Sequence, residues 1–426
     1  MAASPPATRA ERNRSYRDVL RHRPVAVLLL GDLLANICTG MLIVVLPVQT
    51  LRIHESVPPA IAIGLVEAAP FVLATILALG ISIGRKRVPP RTLLLADCVL
   101  RALAFTGLGV LSVTHRLTLA VLVGGLLVGA TFFMVGSSSR RLLATSSVEP
   151  SERFAVNGLL GLNSNFALYV VGPLAGGLIV AFLDPGTALF IDAFGALLLL
   201  ATVLRWFPRT VEAAEQPRPG AAESGWLILR RRPVAARLLV VVFFFNLLYM
   251  PIEVALPLYV RGSLHAGASS LGLLWAALGV GAFIGAALVN QLRNVPQRHL
   301  LIAIIGLWAL CPIVLAAVGN QFAAMVVFGL GGLVWAPFTP VAYSFVQSGL
   351  EADEQERVVT LWTTGAAVAA PLGLAAGGPF IDLVGTNGGL ALSGGLTLLL
   401  VPIAAAAVLA RRAGRTDSPP AAEPAQ

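Results

Sequence analysis

The chain has 426 residues, 57% hydrophobic and 12% charged, with 30 basic against 21 acidic side chains and a net charge of +9. A soluble domain carries about 25% charged residues, so this sequence, with a mean hydropathy of +0.84, excludes a disordered chain and an ordinary soluble enzyme. Lipid is the solvent for most of it, and its basicity reads as a membrane signal, not as affinity for nucleic acid.

In chain order, residues 1–23 are a basic tail with six arginines from Arg9 to Arg23. The apolar run behind it is too long for a signal peptide and no small-residue cleavage site follows, which makes it a retained first helix. Crossing ~30 Å of hydrocarbon takes about 20 apolar residues. Runs of that length fall at 24–48, 59–82, 92–113, 117–138, 156–182 and 187–207, and again at 235–260, 268–291, 299–318, 321–346, 358–381 and 387–410. The expected fold class is an all-α membrane protein of twelve transmembrane helices. Pro337 and Pro340 are expected to break the tenth span, leaving carbonyls that must face protein or water.

The polar segment 208–233 divides the spans into an N-terminal six-helix bundle (24–207) and a C-terminal one (234–410), followed by a tail at 411–426. The two halves repeat. RVPPRTLLLA (87–96) aligns with NVPQRHLLIA (294–303) and GGLL (124–127) with GGLV (331–334), both at an offset of 207. SSVEPSER (146–153) corresponds to SGLEADEQER (348–357). With the N-terminus in the cytoplasm, 26 cations fall inside and three outside (Arg52, Arg116, Arg261), while Arg101 stays within the third span. That positive-inside asymmetry makes both tails and the 208–233 linker cytoplasmic.

Charged groups inside the spans are the most informative residues, because each costs about 2.5–3.5 kcal/mol at a helix centre unless sheltered. They are Asp32, Glu67, Asp97, Arg101, Asp192 and Glu253. Asp97 and Arg101 stand four apart on one helix face and are expected to form a structural ion pair. Asp192 is expected to hydrogen-bond a neighbouring backbone, and Glu67 is either a gate residue or wetted. Asp32 and Glu253 have no opposite charge within four residues of their own helices. In an apolar cavity such a carboxylate is a candidate proton carrier or a counter-charge for a cationic substrate; the alternative is a carboxylate satisfied by a hydroxyl or water.

Cys38, Cys98 and Cys311 lie in apolar runs, so no disulfide framework is expected, and no cluster has metal-ligand spacing. All five histidines fall at loops or span ends, which argues against a buried histidine relay. No P-loop and no GxSxG elbow is present, so neither ATP-driven transport nor catalysis is expected, and no cofactor.

The six-plus-six layout resembles the major facilitator superfamily. Several stretches are similar to its group of bacterial drug and siderophore exporters, which includes macrolide-efflux and enterobactin-export proteins. They are SSVEPSERFAVNGLL (146–160), GPLAGG (172–177), LFIDAFGALLLL (189–200), ESGWLILRRRPVAARLL (223–239) and LGLLWAALGVGAFIGAAL (271–288). Gly172, Pro173, Gly176 and Gly177 match the core of the family's antiporter motif, although Ser164 and Leu168 stand where the longer pattern has glycine. Gly80, Arg85, Lys86, Arg87 and Arg91 occupy the place of the superfamily's loop signature, without its acidic member. Arg85 and Arg91 either pair with lipid phosphates or with Glu149 and Glu152, or serve only as topology cations.

In such proteins the first helix of each half lines the central cavity, which singles out Asp32 and Glu253 for proton coupling. It also makes Asn36, Phe244, Asn246 and Tyr249, with Trp335, Phe338 and Tyr343 on span 10, the substrate-cavity candidates. A mostly apolar pocket with few polar groups suits a hydrophobic or amphiphilic molecule and suits a sugar poorly. The resemblance implies a monomeric, multi-pass secondary active transporter of the bacterial inner membrane. It would export a drug, siderophore or secondary metabolite by proton antiport with alternating access, its partners being that small molecule, protons and membrane lipids. A lysolipid facilitator independent of a proton gradient is the alternative.

Overall fold

The computed structural model describes residues 16–83, 88–207, 225–289, 291–347 and 350–413, and among them there is no strand. Twelve helices are long and apolar enough to cross a membrane. They are span 1 (Arg23–Ile53), span 2 (Pro59–Ile81), span 3 (Pro90–Val113), span 4 (Leu119–Ser146), span 5 (Pro150–Phe182), span 6 (Pro185–Trp206), span 7 (Pro233–Gly262), span 8 (Ala268–Leu288), span 9 (Gln297–Ala317), span 10 (Gln321–Gln347), span 11 (Arg357–Val384) and span 12 (Thr386–Ala406). Helices prevail because hydrocarbon offers backbone N–H and C=O groups no partner but each other.

Three spans carry breaks, each with a local cause. Span 10 opens between Trp335 and Phe338, at Ala336 and Pro337. Pro340 breaks nothing, because it falls in the first turn of Phe338–Gln347, where a missing N–H removes no helical bond. Span 4 turns between Gly129 and Phe133, and the Thr131 hydroxyl donates back to the Leu127 carbonyl at 2.9 Å. Span 5 contains a π-helical turn at Ala167–Val171, directly ahead of Pro173.

The two sets of six spans pack in the same order. Span 1 lies on spans 5 and 6 and span 3 on span 6; correspondingly, span 7 lies on spans 11 and 12 and span 9 on span 12. Each set is preceded by a short helix, Tyr16–Arg21 or Gly225–Arg231. Spans 5 and 11 are led in by capping boxes, Glu149 with Glu152 and Glu351 with Glu354. Each box holds a basic side chain of the segment leading into the first helix of its set. His22 Nε2 lies 3.3 Å from Glu152 Oε1, and Arg232 donates to Glu351 at 2.9 Å and to Glu354 at 3.2 Å. The Glu354 carboxyl is held below the usual glutamate range, first by the Glu351 N–H, against a desolvation effect, and then by Arg232. Arg91, expected at Glu149 or Glu152, instead donates to the Phe207 carbonyl at 2.8 Å, closing span 3 onto the end of span 6. Arg85, Lys86 and Arg87 lie outside the described residues.

Glycine sets the closest approaches. A Cβ on Gly40 would stand 2.6 Å from the Leu168 carbonyl, and one on Gly172 would stand 2.5 Å from the Gly40 Cα. Spans 8 and 10 meet through Gly281 and Gly285 on one side and Gly329 and Gly332 on the other. The contacts that join the two sets run along two seams, span 2 on span 11 and span 5 on span 8. In the first, Gly64 abuts Leu374 and Gly378, and Gly378 abuts Ala60 and Ile61. In the second, Gly177 meets Ala268 and Ser269, Gly272 meets the Pro173 carbonyl, and Gly279 meets the Tyr169 carbonyl. At ~1.5 Å per residue, Gly64, Gly177, Gly272 and Gly378 all lie within ~10 Å of the span ends opposite the chain termini. We call this the far side, and the opposite one the terminal side.

Because the contacts at Gly40 are backbone atoms that cannot rotate away, Gly40→Ala is expected to lower stability by about 1–3 kcal/mol. Gly80→Ala, in span 2 with nothing within 4 Å of its Cβ position, is expected to leave stability unchanged or slightly raised. Melting temperatures of the two variants in detergent check the contrast.

Candidate functional site

The first set of spans contains a dry network of charge. Arg101 of span 3 grips Asp192 of span 6 with two nitrogens; Nε to Oδ2 is 2.7 Å, and Nη2 contacts Oδ1. The same Nη2 donates to the Thr39 hydroxyl of span 1 at 2.8 Å, and the guanidinium lies 5.7 Å from the Phe105 ring centroid. Arg140 of span 4 donates to Asp32 of span 1 at 2.7 Å. Asp32, Asp97, Arg140 and Asp192 are all buried. Asp97 lies against Gly136 of span 4, and its Oδ1 has no hydrogen-bond partner.

This corrects three sequence expectations. Arg101 does not pair with Asp97, because Asp192 on the facing helix presents both oxygens to its planar fork. Asp192 is the charged partner of an arginine, not an acceptor for backbone. Arg140 is not a loop cation but a buried group, and it supplies Asp32 with the opposite charge that its own helix lacks. Intrahelical spacing could not reveal these partners, since each belongs to another span.

A second group of residues gathers where the two sets of spans meet. Glu67 of span 2 and Glu253 of span 7 are both half-buried, and Tyr249 stands one helical turn before Glu253 on span 7. Among the described residues no arginine, lysine or histidine pairs with either glutamate. Around them stands an aromatic cluster. Tyr249 stacks on Trp335 at 5.8 Å between centroids and packs on Trp308 at 5.4 Å. Tyr169 meets Trp335 edge-on at 6.3 Å and stacks on Trp275 at 6.5 Å. Tyr169 sits on the π-helical turn of span 5, which sets the direction of its ring. Glu67 and Glu253 lie ~12–14 Å in from the far side at ~1.5 Å per residue, near the middle of the bilayer.

The remaining expected residues distribute differently. Tyr249 and Trp335 join the aromatic cluster. Phe338 is buried and stacks on Phe245 at 3.9 Å, as part of the packing of the second set. Tyr343 packs on Trp362 at 6.2 Å. The Asn246 amide is spent on the Val242 carbonyl of its own helix at 2.8 Å. Phe244 is exposed beside Phe243, and Asn36 is buried one turn from Asp32 with its amide nitrogen unpartnered. Gly172 and Gly176 pack on span 1, whereas Gly177 packs on span 8, so the antiporter-type motif serves one contact within a set and one between sets. Tyr169, Trp275 and Trp308 were missing from the sequence expectations, because aromatic rings in an apolar span carry no mark of the neighbour they will meet.

The profile of the transmembrane secretion effector family matches residues 19–423. The multidrug efflux pump Tap of Mycobacterium tuberculosis is 27% identical over 387 residues, spanning 85% of this chain and 88% of that one. Tap of Mycolicibacterium fortuitum is 28% identical over 401 residues, spanning 90% and 95%. Among solved structures, a bacterial homologue of the human lysosomal transporter Spinster, inward-facing and unoccupied, has a TM-score of 0.68 at 15% identity, covering 96% of this chain and 100% of that one. A mutant of the nucleoside transporter NupG has a TM-score of 0.71 at 12% identity, covering 92% and 100%. At these identities the structures speak for the fold alone.

Removing one member of a buried pair leaves the other uncompensated. Asp192→Asn is therefore expected to destabilise the protein by about 3–5 kcal/mol, while Asp97→Asn is expected to cost far less. Thermal unfolding in detergent orders the two, and the reverse order would reinstate Asp97 as the partner of Arg101.

Proposed function

The chain belongs to the transmembrane secretion effector family of major facilitator transporters, and from that premise we propose that it exports a drug-like amphiphilic small molecule by proton antiport with alternating access. It is a transporter and not an enzyme, a multi-pass protein of the bacterial plasma membrane. The efflux reading rests on relatives named as multidrug efflux pumps, matched over 85–90% of this chain. The excess of cations on the terminal side supports a cytoplasmic position for that side. A cavity open there and closed along the far-side seams would load from the cytoplasm.

The observation that carries proton coupling is the placement of Glu67 and Glu253. They come from opposite sets of spans, stand at about the same depth and have no cationic partner among the described residues. A carboxylate so placed favours its neutral form, so loading and release of a proton at either would bear on the contact between the sets. Asp32 is the second candidate carrier. Its ion pair with Arg140 would have to open for it to take a proton, which ties its titration to a movement of span 1 against span 4. The glycines on the seams of spans 2, 5, 8 and 11 bring backbones into close contact, a packing that suits movement of one set against the other.

The test is substrate accumulation in everted vesicles, across a panel of drugs and dyes, with and without an imposed pH gradient. Wild-type protein is expected to accumulate substrate only with the gradient, Glu253→Gln to abolish accumulation and Asp32→Asn to reduce it. Accumulation that ignores both gradient and substitutions would overturn proton antiport and favour a gradient-independent lipid facilitator.

A further inference from the structure

A cavity of about 260 Å³ lies at the terminal-side ends of spans 7 and 10, remote from the mid-membrane carboxylates. Arg231 and Arg232 line it just ahead of span 7, together with Val234, Leu238, Phe345 and Val346. Leu238, Phe345 and Val346 are buried and Arg231 is exposed, so the charged end faces outward and the apolar end faces protein. Leu238 stands ~8 Å inside span 7 at ~1.5 Å per residue. A headgroup layer is roughly 5–8 Å deep on each face of the hydrocarbon. The cavity therefore runs from the level of lipid phosphates to the first methylenes of their chains.

Its surroundings add charge and an anchor. Arg230 adjoins Arg231 and Arg237 adjoins Leu238; both are exposed, and neither forms an ion pair among the described residues. Arg232 is already held by Glu351 and Glu354. The short helix Gly225–Arg231 turns Ile228 and Leu229 into the protein and leaves Trp226 70% and Leu227 41% exposed. An exposed tryptophan beside an exposed leucine is costly in water and favourable at a bilayer interface, where the indole meets both phases. That sets the helix at headgroup level, and its arginines with it.

The size and the charge select among ligands. A drug-sized molecule fills about 300–1,000 Å³, so the cavity suits a headgroup better than a cargo. A free phosphate would leave the apolar end uncovered, and a zwitterionic headgroup would bring its own cation to a place with cations to spare. We propose that this cavity binds the headgroup of an anionic phospholipid from the terminal-side leaflet. Its phosphate meets Arg231, with Arg230 and Arg237 flanking, and its glycerol end rests on Leu238, Phe345 and Val346. Basic pockets between membrane helices recognise anionic headgroups in this way, each arginine adding about 1 kcal/mol. The bound lipid fixes the start of span 7 to the end of span 10, whatever the protein exports.

The test adds phosphatidylglycerol, phosphatidylcholine with the same acyl chains, or inorganic phosphate to the full-length protein in detergent. Retained lipid is counted by native mass spectrometry, and melting temperature is followed in parallel. Phosphatidylglycerol is expected to be retained in preference to phosphatidylcholine and to raise the melting temperature. Arg230→Gln and Arg231→Gln should each lower its retention about fivefold, and Arg231→Lys should keep most of it. Val346→Phe, which fills the cavity, should lower retention while leaving the melting temperature of lipid-free protein unchanged, which separates a built site from attraction to a basic surface. Arg116→Gln, in a far-side loop, should change nothing. Equal retention of the two lipids would overturn the proposal, as would a preference for phosphatidylglycerol that survives both arginine substitutions and Val346→Phe. Displacement of the lipid by inorganic phosphate would make this a site for free anions and overturn the lipid assignment. Retention that rises when Glu212, Glu215 and Glu223 are replaced by glutamine would give the cavity to the 208–224 segment instead.

Discussion

Arg101 grips Asp192 with two of its nitrogens in a place where water cannot help, and much of the first half of the protein is arranged around that grip. Neither group can be left alone in hydrocarbon, so spans 3 and 6 are fixed to each other, and the bond from Arg101 to Thr39 draws in span 1. The Asp32–Arg140 pair extends the constraint to span 4. Four helices are thereby held in one register by charge that is expensive to separate. The second half repeats the topology with different physics. Its interior is held by Trp308, Phe328, Trp275 and the stacked Phe245 and Phe338, and Glu253 is its membrane-centre carboxylate.

The two sets meet along seams where Val44, Ala60, Ile63 and Ala68 of the first join the hydrophobic core of the second, and where glycines bring the backbones close. At Gly64 with Gly378, and at Gly177 and Gly272 with the backbones facing them, contact is made largely without interlocking side chains. Such surfaces pack closely yet separate without dragging long side chains through one another. The π-helical turn at Ala167–Val171 and the helix that follows it, Gly172–Phe182, both touch span 1 on one side and span 8 on the other, so this stretch of span 5 serves its own half and the junction together.

Ion pairs inside the first half hold its helices together, whereas Glu67 and Glu253, one from each half, stand near mid-membrane with no cationic partner among the described residues. Under the proposed antiport mechanism their protonation would bear on the contact between the halves and not on either half alone.

The sequence by itself determined the number of spans, their positions and the six-plus-six repeat, because bilayer thickness converts hydropathy into helix length with little ambiguity. It also identified Asp32, Glu67, Asp97, Arg101, Asp192 and Glu253 as the groups that must be accounted for, since charge stands out against an apolar background. Partners were another matter. Asp97 and Arg101 looked like a pair along one helix, yet Arg101 turned to Asp192; Arg140 looked like a loop cation, yet it reached Asp32. Tyr169, Trp275 and Trp308 looked like any aromatic in a membrane span. Only the tertiary structure decided these pairings, for a physical reason. In a water-soluble protein the apolar face of a helix announces which side turns inward. In a membrane, lipid and protein interior are about equally apolar, so the sequence of a span fixes its depth but leaves its rotation, and hence its neighbours, to packing.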